Sequence, residues 1–124
     1  MAPLISSFVV KPASRCNLNC SYCYVYNRAD QTWKDKPGIM SDEVFTLVLA
    51  RIRRHCEATG QRRVNLQFHG GEPLLMGVVR FKRWCDEARQ VLANLASLSI
   101  GIQTNGTLID DDWIDALLRE QVHV

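Results

Sequence analysis

Three short apolar runs recur along this 124-residue chain, each followed by a loop of glycine, cysteine or amide residues and then by an amphipathic stretch. Ser7-Phe8-Val9-Val10 is the first run, with Lys11-Pro12 expected to end it because proline cannot donate to a ladder. Val64, Leu66 and Phe68 alternate with Asn65 and Gln67 in the second, and Leu98, Ile100 and Ile102 mark the third. Between them the period changes to that of a helix. Ser41 is placed to cap a first helix, with Asp42 and Glu43 in its first turn, an apolar stripe at Val44, Leu47, Val48, Ile52 and Cys56, and Gly60 at its end. A second helix is expected from about Val78 to Leu95, carrying Val78, Phe81, Cys85, Ala88, Val91 and Leu95. Asp110 or Asp111 should cap a third, with Trp113, Ile114, Leu117 and Leu118 on its apolar side. Residues 27–38 read as an irregular connection, and Val122-His123-Val124 as the opening of a fourth strand. Strand–helix units in series predict an α/β fold with parallel strands, in which ligands gather at the strands' carboxyl ends.

The loops at those ends carry the chemistry. After the first strand come Cys16, Cys20 and Cys23, in CxxxCxxC spacing. One short loop thus offers three thiolates and no fourth, which suits an iron–sulfur cube with one iron left open for a non-protein ligand. Two other uses of the trio remain: a zinc knuckle with His69 as fourth ligand, and a Cys20/Cys23 redox dithiol that leaves Cys16 unexplained. His69-Gly70-Gly71-Glu72-Pro73 follows the second strand, and Gln103-Thr104-Asn105-Gly106-Thr107 follows the third. Read alone, the glycine segment is a tight turn, and Asn105-Gly106 a common turn dipeptide. Cys56 and Cys85 fall on helix faces and read as inert core thiols.

These three segments, in this order, resemble the radical S-adenosylmethionine (SAM) superfamily. Lys11-Pro12, Tyr22 before the third cysteine, Cys23-Tyr24 and Gly71-Glu72-Pro73-Leu74 look most like its peptide-modifying and anaerobic sulfatase-maturating branch. The resemblance implies that residues 1–124 are the first three βα units of a partial (β/α)6 barrel, the N-terminal part of a radical SAM core domain. It implies a [4Fe-4S] cluster on Cys16, Cys20 and Cys23, and SAM on its open iron. Gly70, Gly71 and Glu72 would hold the SAM ammonium, with Pro73 stiffening the loop. Tyr22 would lie near the adenine, and Gln103 and Asn105 are SAM or substrate contacts. The implied activity is reductive cleavage of SAM to a 5′-deoxyadenosyl radical that abstracts hydrogen from a peptide or protein. An external flavodoxin- or ferredoxin-like donor would supply the electron. The alternatives are an iron–sulfur-binding fragment without catalysis and a zinc-binding structural module.

Composition narrows the remaining classes. Hydrophobic content of 47%, charged content of 23% and a net charge of +2 are those of an ordinary globular chain and make no case for nucleic acid. Arg51, Arg53, Arg54, Arg62 and Arg63, with Arg80, Lys82 and Arg83, read as a solvated helix face and its C-terminal end, or as a surface for an acidic leader peptide. No apolar segment approaches the roughly 20 residues of a membrane span. Neither a secretory signal nor a disulfide framework is read, so a reducing cytoplasm is the expected compartment. The C-terminal auxiliary-cluster domain of that branch has no counterpart here. The chain is therefore expected to be a truncated core, poorly soluble because an unclosed sheet exposes an edge and apolar faces.

Overall fold

A computed structural model describes residues 4–18, 31, 34 and 38–124. Strand β1 (Ser7–Ala13) leads to helix α1 (Asp42–Thr59), strand β2 (Arg63–Gly70), a 3-10 turn (Pro73–Met76), helix α2 (Val78–Leu92), strand β3 (Ser97–Ile102) and helix α3 (Asp111–Arg119). The sheet order is β1-β2-β3, and both pairs are parallel, as the alternation of strands and helices predicts. Phe8 lies opposite Leu66 and Val10 opposite Phe68; Leu66 and Phe68 in turn face Ile100 and Ile102. A parallel bridge joins Gly101 to His123, the beginning of the expected fourth strand.

All three helices share one core with strand residues of a single parity, among them Val10, Val64, Leu66, Phe68, Ile100 and Ile102. The other parity brings Asn65, Gln67, His69, Ser99, Gly101 and Gln103 to the opposite face. There Gln67 donates to Asn65 (Nε2 to Oδ1, 2.7 Å) and lies over Gly101, where an added Cβ would come within 2.4 Å of its amide.

The phase of α1 differs from the sequence expectation. On α1 the buried residues are Phe45, Leu49, Ile52 and Cys56, whereas Val44 and Leu47 are exposed. Both stripes have helical spacing and share Ile52 and Cys56. What selects the observed one is the ring set beneath the sheet. Phe45 stacks on Trp84 of α2 at 4.1 Å between centroids, and Phe68 meets Phe81 edge-on at 5.7 Å. Such aromatic pairs add about 0.5–1.5 kcal/mol each beyond burial. On α2 the expected stripe holds: Phe81, Cys85 and Ala88 are buried and Val78, Val91 and Leu95 pack against the core, with Trp84 and Leu92 buried beside them. On α3, by contrast, Trp113 and Leu117 are buried with Ala116 while Ile114 and Leu118 face outward.

Two boundaries also shift. Pro12 does not end β1, because this is the edge strand of the described sheet and the pairing is irregular between Val10 and Ala13. Edges and bulges are where a strand tolerates proline. Beyond that irregularity, residues 38–40 close on the same edge: Met40 N donates to Pro12 O at 2.8 Å and Ser14 N to Gly38 O at 2.9 Å. Helix α2 stops at Leu92 rather than Leu95. Asn94 takes a left-handed conformation (φ 64°), and the Leu95 and Ala96 amides both turn back to Leu92 O.

Ser41 caps α1 as its sequence context predicts, its side chain accepting from Val44 N at 3.2 Å. Ser41→Ala is expected to lower stability by about 1 kcal/mol in thermal melting, and an unchanged melt would show the cap to be idle. Several of the arginines brace helices. Arg53 and Arg62 donate to Val91 O and Leu95 O at the end of α2, while Arg83 and Trp84 Nε1 both donate to Asp42 at 2.7 Å. The bond from Trp84, then that from Arg83, holds the Asp42 carboxyl below its ordinary range. Among the described residues, no helix is long and apolar enough to cross a membrane.

Candidate functional site

Parallel pairing brings the carboxyl ends of β1, β2 and β3 to one edge of the sheet, and with them the described residues of the three loops singled out in the sequence. Cys16, Gly70, Gly71, Glu72, Gln103 and Asn105 all lie there. Cys20, Cys23 and Tyr22 fall outside the described residues.

Backbone geometry explains the first glycine of the middle loop. Gly70 has φ 107°, and a Cβ on it would sit 3.0 Å from Lys11 Cβ and 3.2 Å from Ala13 O. Positive φ and the nearness of β1 both exclude a larger residue. Two residues on, Glu72 N donates to Arg15 O at 2.9 Å, tying the middle loop to the chain just before Cys16.

The Glu72 side chain has no solvent exposure. Its carboxyl oxygens accept from Leu74 N at 2.8 Å, from Thr104 Oγ1 at 2.7 and 2.8 Å, and from Asn105 N at 2.8 Å. One buried carboxyl thus starts the 3-10 turn and fixes the loop after β3. Burial of an acidic side chain requires such partners, and here three donors supply them. The sequence motif marks Glu72 as a candidate ligand for an ammonium. Its geometry makes it a brace between two loops as well. Thr104, which received no separate role in the sequence reading, is the side-chain half of that brace.

A second connection runs from the third loop to the first. Asn105 Nδ2 donates to Asn17 Oδ1 at 2.8 Å, Asn17 Nδ2 donates to Thr107 Oγ1 at 2.6 Å, and Thr107 Oγ1 donates to Asn105 Oδ1 at 2.8 Å. Thr107 N also donates to Asn105 Oδ1, at 3.0 Å. Each amide and the hydroxyl both gives and receives, so the ring closes with consistent polarity. Asn17 and Thr107 were not sequence candidates. Only their separation of 90 residues, closed by the fold, reveals the partnership.

Cys16 is a half-buried free thiol at the margin of this ring. Two N–H groups approach its sulfur, Leu18 N at 3.5 Å and Asn105 Nδ2 at 3.8 Å. Cysteine binds metal through this sulfur, and N–H groups directed at a ligating sulfur are the outer contacts that such sites use. The surroundings of Cys16 therefore fit a cluster ligand. Cys56 and Cys85 are core thiols, as expected. Burial raises both, and Cys85 is pushed up to about 12. Among the described residues, no three of the His, Cys, Asp and Glu side chains are grouped to hold a metal ion.

Comparison with known proteins agrees with this arrangement. A model of the radical SAM superfamily matches residues 10–124. A cysteine-type anaerobic sulfatase-maturating enzyme of Clostridium perfringens (strain 13 / Type A) is 40% identical over 116 residues, covering 91% of this chain and 29% of that protein. A serine-type enzyme of Klebsiella pneumoniae is 35% identical over 122 residues, covering 96% of this chain and 29% of that protein. The chain thus spans somewhat under a third of these relatives. Among solved structures, native anSMEcpe with bound AdoMet and Cp18Cys peptide superposes with a TM-score of 0.75 at 34% identity, over 94% of this chain and 29% of that one. BtrN in complex with AdoMet and 2-DOIA shares the fold, at TM-score 0.73 and 21% identity, over 97% of this chain and 44% of that one. The three parallel strands with their alternating helices correspond to part of the barrel in these neighbours. Motifs at one sheet edge, a thiol among N–H donors and a family model over nearly the whole length lead to one assignment: the chain belongs to the radical SAM superfamily.

Proposed function

We propose that this chain is the cofactor-binding N-terminal part of a radical SAM enzyme that acts on a peptide or protein. The observation that carries this reading is the convergence of three motif loops at one sheet edge, with Cys16 beside Asn105 and Glu72 locked to Thr104. Cys16, Cys20 and Cys23 would ligate three irons of a [4Fe-4S] cluster and leave the fourth to SAM. When bound, the pair supplies reductive cleavage of the sulfonium to methionine and a 5′-deoxyadenosyl radical that removes hydrogen from substrate.

The protein's part is to hold and orient. Backbone carbonyls around Gly70 and Gly71 can receive an ammonium, which has only donors. Glu72, a carboxylate that accepts from Leu74 N, Thr104 Oγ1 and Asn105 N, fixes the loop and is proposed to place its negative charge beside that ammonium. Gln103 and Asn105 stand at the end of β3 as polar contacts for SAM or substrate, and Tyr22 is assigned to the adenine. The substrate class follows the sulfatase-maturating relatives, and a flavodoxin- or ferredoxin-like protein is the proposed electron source.

Anaerobic reconstitution with iron and sulfide, followed by dithionite and SAM, tests the reading. A brown chain that yields 5′-deoxyadenosine is expected. An intact cluster without that product reduces the chain to an iron–sulfur-binding fragment. A colourless chain binding one zinc ion makes it a zinc module and overturns the proposal.

A further inference from the structure

We propose that Asn105 is a positioning residue that raises the reduction potential of the cluster by donating one amide N–H to Cys16 Sγ. This rests on the reading of Cys16 as a cluster ligand. The amide's orientation is fixed by chemistry rather than by choice. Thr107 N can only donate, and it points at Asn105 Oδ1 from 3.0 Å, so Oδ1 must be the acceptor on that side. The opposite side of the amide is then Nδ2. One of its protons goes to Asn17 Oδ1 at 2.8 Å, and the other faces Cys16 Sγ at 3.8 Å.

Asn17 and Thr107 Oγ1 complete the ring, the Thr107 backbone N–H pins Oδ1 and so keeps the amide from rotating, and Glu72 holds the Asn105 backbone by accepting from its N–H. The donor is therefore anchored on both main chain and side chain. Adding an electron to a cluster increases negative charge on its sulfurs, and an N–H aimed at a ligand sulfur stabilises that state more than the oxidised one. The Leu18 amide at 3.5 Å acts in the same sense, but it belongs to the cysteine loop itself. Asn105 comes from the loop after β3, 89 residues away, and couples the electron affinity of the cluster to the loop that Glu72 braces.

The test is an EPR-monitored redox titration of the reconstituted 124-residue chain, with iron and sulfide content measured alongside. Asn105→Leu, uncharged and so without an electrostatic effect of its own, loses both side-chain protons, as does Asn105→Asp, which retains an oxygen for Thr107 N. The Leu variant is expected to lower the reduced-to-oxidised ratio at fixed potential about tenfold, or about 59 mV for a one-electron couple. Thr107→Val breaks the ring but leaves the Asn105 amide, and its potential should stay close to that of the unchanged protein. Pulsed EPR on unchanged protein carrying amide-15N asparagine gives a readout independent of variant folding. A nitrogen coupling on the reduced cluster, lost in Asn105→Asp wherever that variant folds, is expected. Equal potentials for the Leu variant and the unchanged chain, an equal drop in the Thr107 variant, or no side-chain nitrogen coupling would each overturn the proposal. An unchanged chain that takes up no cluster overturns both this proposal and the reading beneath it, so the two failures are distinguishable.

Discussion

Cys16→Ala is expected to leave the anaerobically reconstituted chain with background iron and sulfide, against about four irons per chain for the unchanged protein. Two thiolates from a short loop cannot hold three corners of the cube. The effect is all-or-none in visible absorbance, and 5′-deoxyadenosine should vanish with it. Replacing either of the two helix cysteines, Cys56 or Cys85, is the control. Cys56 on α1 and Cys85 on α2 are 2% and 0% exposed, and burial raises both thiols, Cys85 to about 12, so neither is placed to serve as a ligand. Cys56→Ala and Cys85→Ala should therefore keep the full iron content, with only a modest loss of stability. A Cys16→Ala chain that still turns brown with normal iron would remove that residue from the ligand set and undo the assignment of the loop.

The largest effect on stability is expected at Glu72, and it can be read without iron. Glu72→Ala leaves the Leu74 amide, the Asn105 amide and the Thr104 hydroxyl without their acceptor. Each buried unsatisfied group costs about 1–3 kcal/mol, and water entering the vacated space offsets part of the sum, so a loss of about 3 kcal/mol is expected. For a domain of this size that corresponds to a fall of roughly 10 °C or more in Tm by circular dichroism. Glu72→Gln should fall in between, because one acceptor becomes a donor facing other donors. Thr104→Val tests the brace directly. Combined with Glu72→Gln it should cost less than the two separate losses added together, since both remove the same contact. Strict additivity would mean that the hydroxyl and the carboxyl do not act as a unit.

Much of this arrangement could be read from residue order alone. Alternation of Val64, Leu66 and Phe68 identified β2 and its buried parity, and Ser41 and Gly60 marked the ends of α1. The parallel order then placed all three motifs at one edge, because each follows a strand. What escaped depended on partners distant in sequence. Phe45 and Leu49 lie one position from the stripe chosen for α1, and only Trp84 and Phe68, arriving from other elements, decide between the two. Asn94 ends α2 early through a backbone conformation to which apolar periodicity is blind. Pro12 stayed in its strand because β1 is an edge, a property of the assembled sheet. At the site, the motif residues were identifiable by type. The Glu72–Thr104 brace and the Asn17–Asn105–Thr107 ring were not, since both require loops that meet only after folding.

The missing side chain at Gly101 has an effect beyond its own strand. Because nothing projects from that position, the Gln67 amide settles into the gap and Asn65 holds it there, so an amide rather than hydrocarbon covers this part of the sheet. A molecule lying on such a surface is discriminated by the match of its own donors and acceptors, and one lacking them strands a polar group against the sheet. Selectivity of that kind is steeper than greasy fit can provide.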